Sequence, residues 1–204
     1  MKTSRFGVPP STPIVSRILL LSGLLLTVAA CPGPPIATDA VPVELKGEAV
    51  SLTPDAPRVE QRFTVVASAK EGKKIKINGI QLIFHVSVAW NDPEGSASEV
   101  NPWLRIRLVD EQRGFVEEKI FLAEATHLGQ PQYFATFYPS YSDVCQRDRR
   151  ECSATYRIEL ERQGPPAQGT FDVNWRAIGH SDAEGGEKED FEVRLVYPVL
   201  PSEP

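Results

Sequence analysis

Apolar and polar residues alternate with period two through most of the chain after residue 59. That is the pattern of strands that bury one face and wet the other. Phe63, Val65 and Ala67 alternate with Arg62, Thr64 and Ser68. A long strand is predicted where Leu82, Phe84, Val86, Val88 and Trp90 alternate with Gln81, His85 and Ser87. Further strands are predicted around Leu104, Ile106 and Leu108, around Tyr156, Ile158 and Leu160, around Phe171, Val173, Trp175 and Ala177, and around Phe191, Val193, Leu195 and Tyr197. Ile75 and Ile77 begin a strand, and Asn78-Gly79 reads as a bulge or a tight hairpin turn. Val116, Ile120 and Leu122 suggest a strand, while residues 117–126 are the best helix candidate. Residues 133–138 (YFATFY) are apolar at both parities, as in a buried strand or one that runs into a functional rim. Short strands without a sustained helical period predict an all-β fold of about seven to nine strands. The favoured architecture is an antiparallel β-sandwich, immunoglobulin/fibronectin-like or jelly roll. A lipocalin-like β-barrel is the alternative.

The front of the chain follows another rule. Lys2, Arg5 and Arg17 precede an apolar run, residues 18–30, which leads directly into Cys31. Thirteen helical residues reach only about 20 Å, short of a bilayer core of about 30 Å. A basic start, a short apolar centre and small residues at its end mark a secretory signal. The sequence Val28-Ala29-Ala30-Cys31 resembles the lipobox of bacterial lipoproteins. The resemblance covers about the first thirty residues. It implies that residues 1–30 are a cleaved lipoprotein signal peptide and that Cys31 becomes the lipidated first residue of the mature chain. Two or more acyl chains hold a protein stably on a membrane, whereas one does so marginally. Pro32 stands where an Asp would signal inner-membrane retention, so the resemblance implies the outer membrane, on its periplasmic or surface face.

The expected organisation is then residues 1–30 as signal, 31–45 as lipidated cysteine and Pro-rich tether, 46–200 as a single β-sandwich domain, and 201–204 as a disordered tail. Losing residues 1–30 removes three of the 22 Lys and Arg and none of the 27 Asp and Glu, leaving a formal charge of −8. Such acidity argues against a nucleic-acid partner. Cys145 and Cys152 are an even pair in an exported chain, which reads as a disulfide closing a small loop.

Catalytic and metal signatures are weak. His85, His127 and His180 are far apart in sequence, and no G-x-S-x-G or phosphate loop occurs. The acidic stretch 181–190 lacks the order of a known calcium loop and reads as a solvated hairpin. No catalytic residue, metal ligand or cofactor is therefore expected. The richest candidate surface surrounds the cysteine pair: Tyr133, Phe134, Tyr138 and Tyr141, with Arg147, Arg149 and Arg150. Aromatic residues and Arg dominate binding hot spots, and a stapled loop lowers the ordering cost. The expectation is a non-catalytic module, anchored through Cys31, that binds protein or glycan at the cell envelope. The alternatives are an accessory subunit of an envelope complex and, from another class, an envelope hydrolase.

Overall fold

The alternating pattern becomes eleven strands in a computed structural model that describes residues 37–91, 101–123, 133–139, 144–165 and 168–197. They are β1 (Ala37–Asp39), β2 (Val43–Lys46), β3 (Val50–Leu52), β4 (Arg58–Ala69), β5 (Lys76–Asn91), β6 (Trp103–Asp110), β7 (Val116–Leu122), β8 (Tyr133–Phe137), β9 (Glu151–Gln163), β10 (Thr170–Glu184) and β11 (Phe191–Val196). All described pairings are antiparallel. Sheet A has the order β1-β10-β5-β8, with β2 and β3 also on β10, and sheet B the order β11-β4-β9-β6-β7.

The two sheets face each other across one core because each long strand turns its apolar parity inward. Phe63 and Tyr156 of sheet B meet Phe84 and Trp175 of sheet A, with Phe63 stacked 5.5 Å from Trp175 and 5.6 Å from Tyr156. Phe121 of sheet B packs edge-on against Phe171 of sheet A at 5.9 Å. Burying each such ring contributes roughly 1.5–3 kcal/mol, so the aromatic cluster is the main tie between the sheets.

The count of eleven exceeds the expected seven to nine because short strands hide among prolines. β1 and β2 fall within the stretch read as a tether, so the folded domain already includes residues 37–46. Both strands are free of proline and keep their donors. Pro42, which has none, lies in the gap between them. β1, β2 and β3 line one edge of β10 end to end, opposite residues 182–184, 176–179 and 171–173. An edge interrupted twice is a poor template for foreign strands.

Other expectations shift in detail. Asn78 is the extra residue of a bulge, since Asp182 pairs with Gly79 and Ala183 with Ile77. Its side chain donates to Asp182 Oδ2 at 2.6 Å. Residues 117–122 are strand, not helix, and the parity of β7 is reversed: Phe121 is buried while Val116, Ile120 and Leu122 are exposed. The stretch 181–190 is mostly ordered backbone, with residues 181–184 in β10 and a short 3-10 turn at Lys188–Asp190. Cys31 and residues 201–204 lie outside the described residues.

Candidate functional site

Strand pairing sets two rows of side chains across the outer face of sheet A. In the first row, Lys46 of β2 stands opposite Arg176 of β10, which stands opposite His85 of β5, which stands opposite Thr136 of β8. The second row holds Asn174, Ser87 and Phe134. Adjacent strands lie about 4.8 Å apart, so the four-strand row is about 14 Å long. These residues, with Gly47, Val86, Ala135 and Trp175, line an open groove of about 370 Å³. That volume lies within the range of small-ligand sites.

Local structure fixes the groove. At its floor the Gly47 N–H donates to the Trp175 carbonyl at 3.0 Å. A Cβ at Gly47 would overlap the indole of Trp175, so only glycine lets the chain pass there. Trp175 is itself held by its Nε1–H, which donates to Gln61 Oε1 at 2.6 Å. His85 Nδ1 lies 3.0 Å from Thr136 Oγ1. Partial burial, and then the nearby Arg176 cation, lower the affinity of His85 for a proton, against a smaller opposing pull from Glu44. Glu44 reaches Arg176 at 3.7 Å, with both side chains well exposed, a geometry that contributes little. At the other end of the groove Phe134 is 74% exposed.

The sequence-predicted surface is thus divided. Phe134 enters the groove, but Tyr133 turns inward against Phe121, with rings 5.2 Å apart. Tyr138 is exposed, and its backbone N–H donates to Glu117 Oε2 at 3.0 Å. Tyr141 lies outside the described residues. Arg147, Arg149 and Arg150 are exposed on the turn closed by the Cys145–Cys152 disulfide. Arg149 takes a left-handed conformation (φ 53°). The turn is tied to the domain by Ile77 N–H donating to the Arg149 carbonyl and Ala69 N–H donating to the Arg150 carbonyl, both at 2.8 Å. Ile77 and Ser87, the partner of Phe134, are ten residues apart on β5, about 33 Å along the strand. Phe134 and the stapled arginines therefore do not form one patch.

Sequence reasoning missed Lys46, Asn174 and Arg176 as a set with His85. Each occupies an ordinary polar position in an alternating strand, and only the pairing of β2, β10, β5 and β8 brings them together. Among the described residues, no group of three or more His, Cys, Asp or Glu is placed to hold a metal ion. The buried carboxylate of Asp110 holds the turn after β6, where its Oδ1 accepts from the N–H groups of Gln112 and Arg113.

Comparison with protein-family models and with curated proteins finds no match to this chain.

Proposed function

We propose that this protein is a lipid-anchored, non-catalytic binding module of the bacterial cell envelope, with the outer face of sheet A as its binding face. In this reading the two antiparallel sheets form a β-sandwich of the immunoglobulin/fibronectin or jelly-roll kind. The anchor rests on Val28-Ala29-Ala30-Cys31 behind a short apolar run. The binding face rests on one observation: a groove in which two cations, a histidine and an exposed aromatic ring converge with no carboxylate among the described lining residues. Five residues separate Cys31 from β1, a reach of about 20 Å when extended. Arg176 lies six residues along β10 from Asp182, the nearest partner of β1, which sets the groove about 20 Å from that end of the domain.

Two experiments test the two halves. Membrane fractionation should find the protein sedimenting with membranes and Cys31→Ser released. Retention of Cys31→Ser on membranes would overturn the anchor. Purified full-length protein should co-sediment saturably with envelopes from a strain lacking its gene, and Phe134→Ala combined with Arg176→Gln should lower that affinity at least tenfold. Unchanged affinity would remove the groove from the proposal.

A further inference from the structure

We propose that the groove on sheet A takes a carboxylate-bearing glycan strand, laid across β8, β5, β10 and β2. This rests on the reading of that face as the binding face and names the chemistry it recognises. Phe134 offers a flat, solvent-facing ring on which the apolar face of a sugar can stack. Ser87, Thr136 and Asn174, in the adjoining positions, supply neutral hydrogen-bonding groups of both polarities for hydroxyls. Lys46 and Arg176 lie two to three strand spacings from Phe134, about 10–14 Å. A single sugar stacked on Phe134 cannot reach them, whereas a short strand of linked sugars can.

The charge sign follows from the lining. Among the described residues it contains Lys46 and Arg176 and no Asp or Glu. Glu44, the acid next to Arg176, sits in an exposed pair that a ligand carboxylate can replace, and Arg offers a planar fork for that carboxylate. The chain as a whole is acidic, with a formal charge of −5. Attraction of a polyanion is therefore confined to local clusters of cations, of which the groove is one and the stapled turn with Arg147, Arg149 and Arg150 another. An acidic protein loop satisfies the cations equally well but gives no use for the row of hydroxyl-directed groups beside Phe134.

Affinity electrophoresis of the full-length protein in gels containing polygalacturonate or neutral dextran tests this. The expected result is retardation by polygalacturonate and none by dextran. Phe134→Ala and Arg176→Gln should each raise the apparent Kd at least tenfold, and Arg194→Gln, an exposed residue of β11, should leave it unchanged. Near-native circular dichroism of each variant confirms folding, since all three side chains are exposed. Equal retardation by both polysaccharides overturns the anionic assignment, and so does binding that falls as much in Arg194→Gln as in Arg176→Gln. No retardation by either polysaccharide overturns the glycan. Groove-dependent sedimentation with envelopes, if it persists in that case, leaves the binding face standing and points to an acidic protein.

Discussion

The outer faces of the two sheets are made by the same alternation, yet their polar residues behave differently. On sheet B, five arginines and five glutamates of β4, β6, β7, β9 and the turn after β6 interlock. Arg58 meets Glu60, Arg62 meets Glu111, and Arg105 meets Glu161. Arg107 lies 2.6 Å from Glu159 and 3.4 Å from Glu118, and Arg157 lies 3.0 Å from Glu159. Arg105 and Arg107 of β6 stand opposite Glu161 and Glu159 of β9, so each of these charges has an oppositely charged neighbour within 4 Å. On sheet A, the groove region holds instead the loose contact of Arg176 with Glu44. A face whose charges complete one another has little left to offer a ligand. A face whose cations and aromatic ring stay open retains its binding capacity. The difference is what singles out sheet A.

The largest expected effect breaks both faces together. Phe63→Ala removes the ring that stacks on Tyr156, Trp175 and Phe84. It should destabilise the protein by about 3–5 kcal/mol in chemical denaturation. Sheet A and sheet B should unfold in one transition, because both depend on that contact. Two separate transitions would mean that the sheets are less coupled than their shared core implies.

Next comes the crossover between the sheets. Cys145, after β8 of sheet A, and Cys152, the second residue of β9 of sheet B, close an eight-residue turn, and the pair forms a disulfide. Chain-entropy reasoning gives about 2.5 kcal/mol for so small a loop. The double substitution to Ser should lower stability by up to that amount. Because the turn is also held by backbone bonds to Ile77 and Ala69, groove binding should survive. Loss of groove binding would show that the staple sets the geometry of sheet A.

How much of this was legible in the sequence follows from what each inference needs. The all-β class and the inward parity of β4, β5, β6, β9 and β10 could be read directly, because a buried strand face imposes period two on its own residues. The cysteine pair was readable for a similar reason: the partners lie only seven positions apart in the chain. Parity failed on β7. An edge strand packs less of its surface, so Ile120 and Leu122 stay in solvent while Phe121 turns inward. β1 and β2 were obscured by neighbouring prolines that occupy only the breaks. The groove could not be read, since Lys46 and Arg176 are 130 positions apart and meet only through the pairing of β2 with β10. The same holds for the ion-pair lattice. Arg105 and Arg107 occupy the polar parity of one strand, but glutamate partners of both lie on β9.

A matched pair of substitutions compares the faces directly. Arg107→Met strips the principal partner from Glu159, whose side chain is only 7% exposed. Leaving that carboxylate with Arg157 alone should cost about 1–3 kcal/mol. Arg176→Met breaks only the exposed 3.7 Å contact with Glu44 and should change stability by less than about 0.5 kcal/mol. Urea denaturation of both variants checks the contrast. Equal losses would mean that Arg176 helps to hold the fold and that sheet A is no more open than sheet B.

The smallest effect is the most specific to sheet A. His85 is faced by Arg176 from β10, by Glu44 and Lys46 from β2 and by Thr136 from β8. Partial burial, then Arg176, lower its proton affinity below the ordinary value of 6.5. The unfolded chain therefore takes up this proton at a higher pH than the folded one does. Its contribution to stability is intact above pH 6.5 and is lost as pH falls from there through the lowered folded value. His85→Gln should remove that slope, and Arg176→Gln should move the His85 titration back toward 6.5 in an NMR pH series. The ligand reverses the direction. A glycan carboxylate bound beside Arg176 offsets that cation's share, after burial, in lowering the proton affinity of His85, so the bound complex takes up the proton more readily than the free protein. Affinity for polygalacturonate should then rise as pH falls through the same window and become flat in His85→Gln. An affinity independent of pH in the native protein would place the carboxylate away from His85 and confine the charged contact to the Lys46 end of the groove.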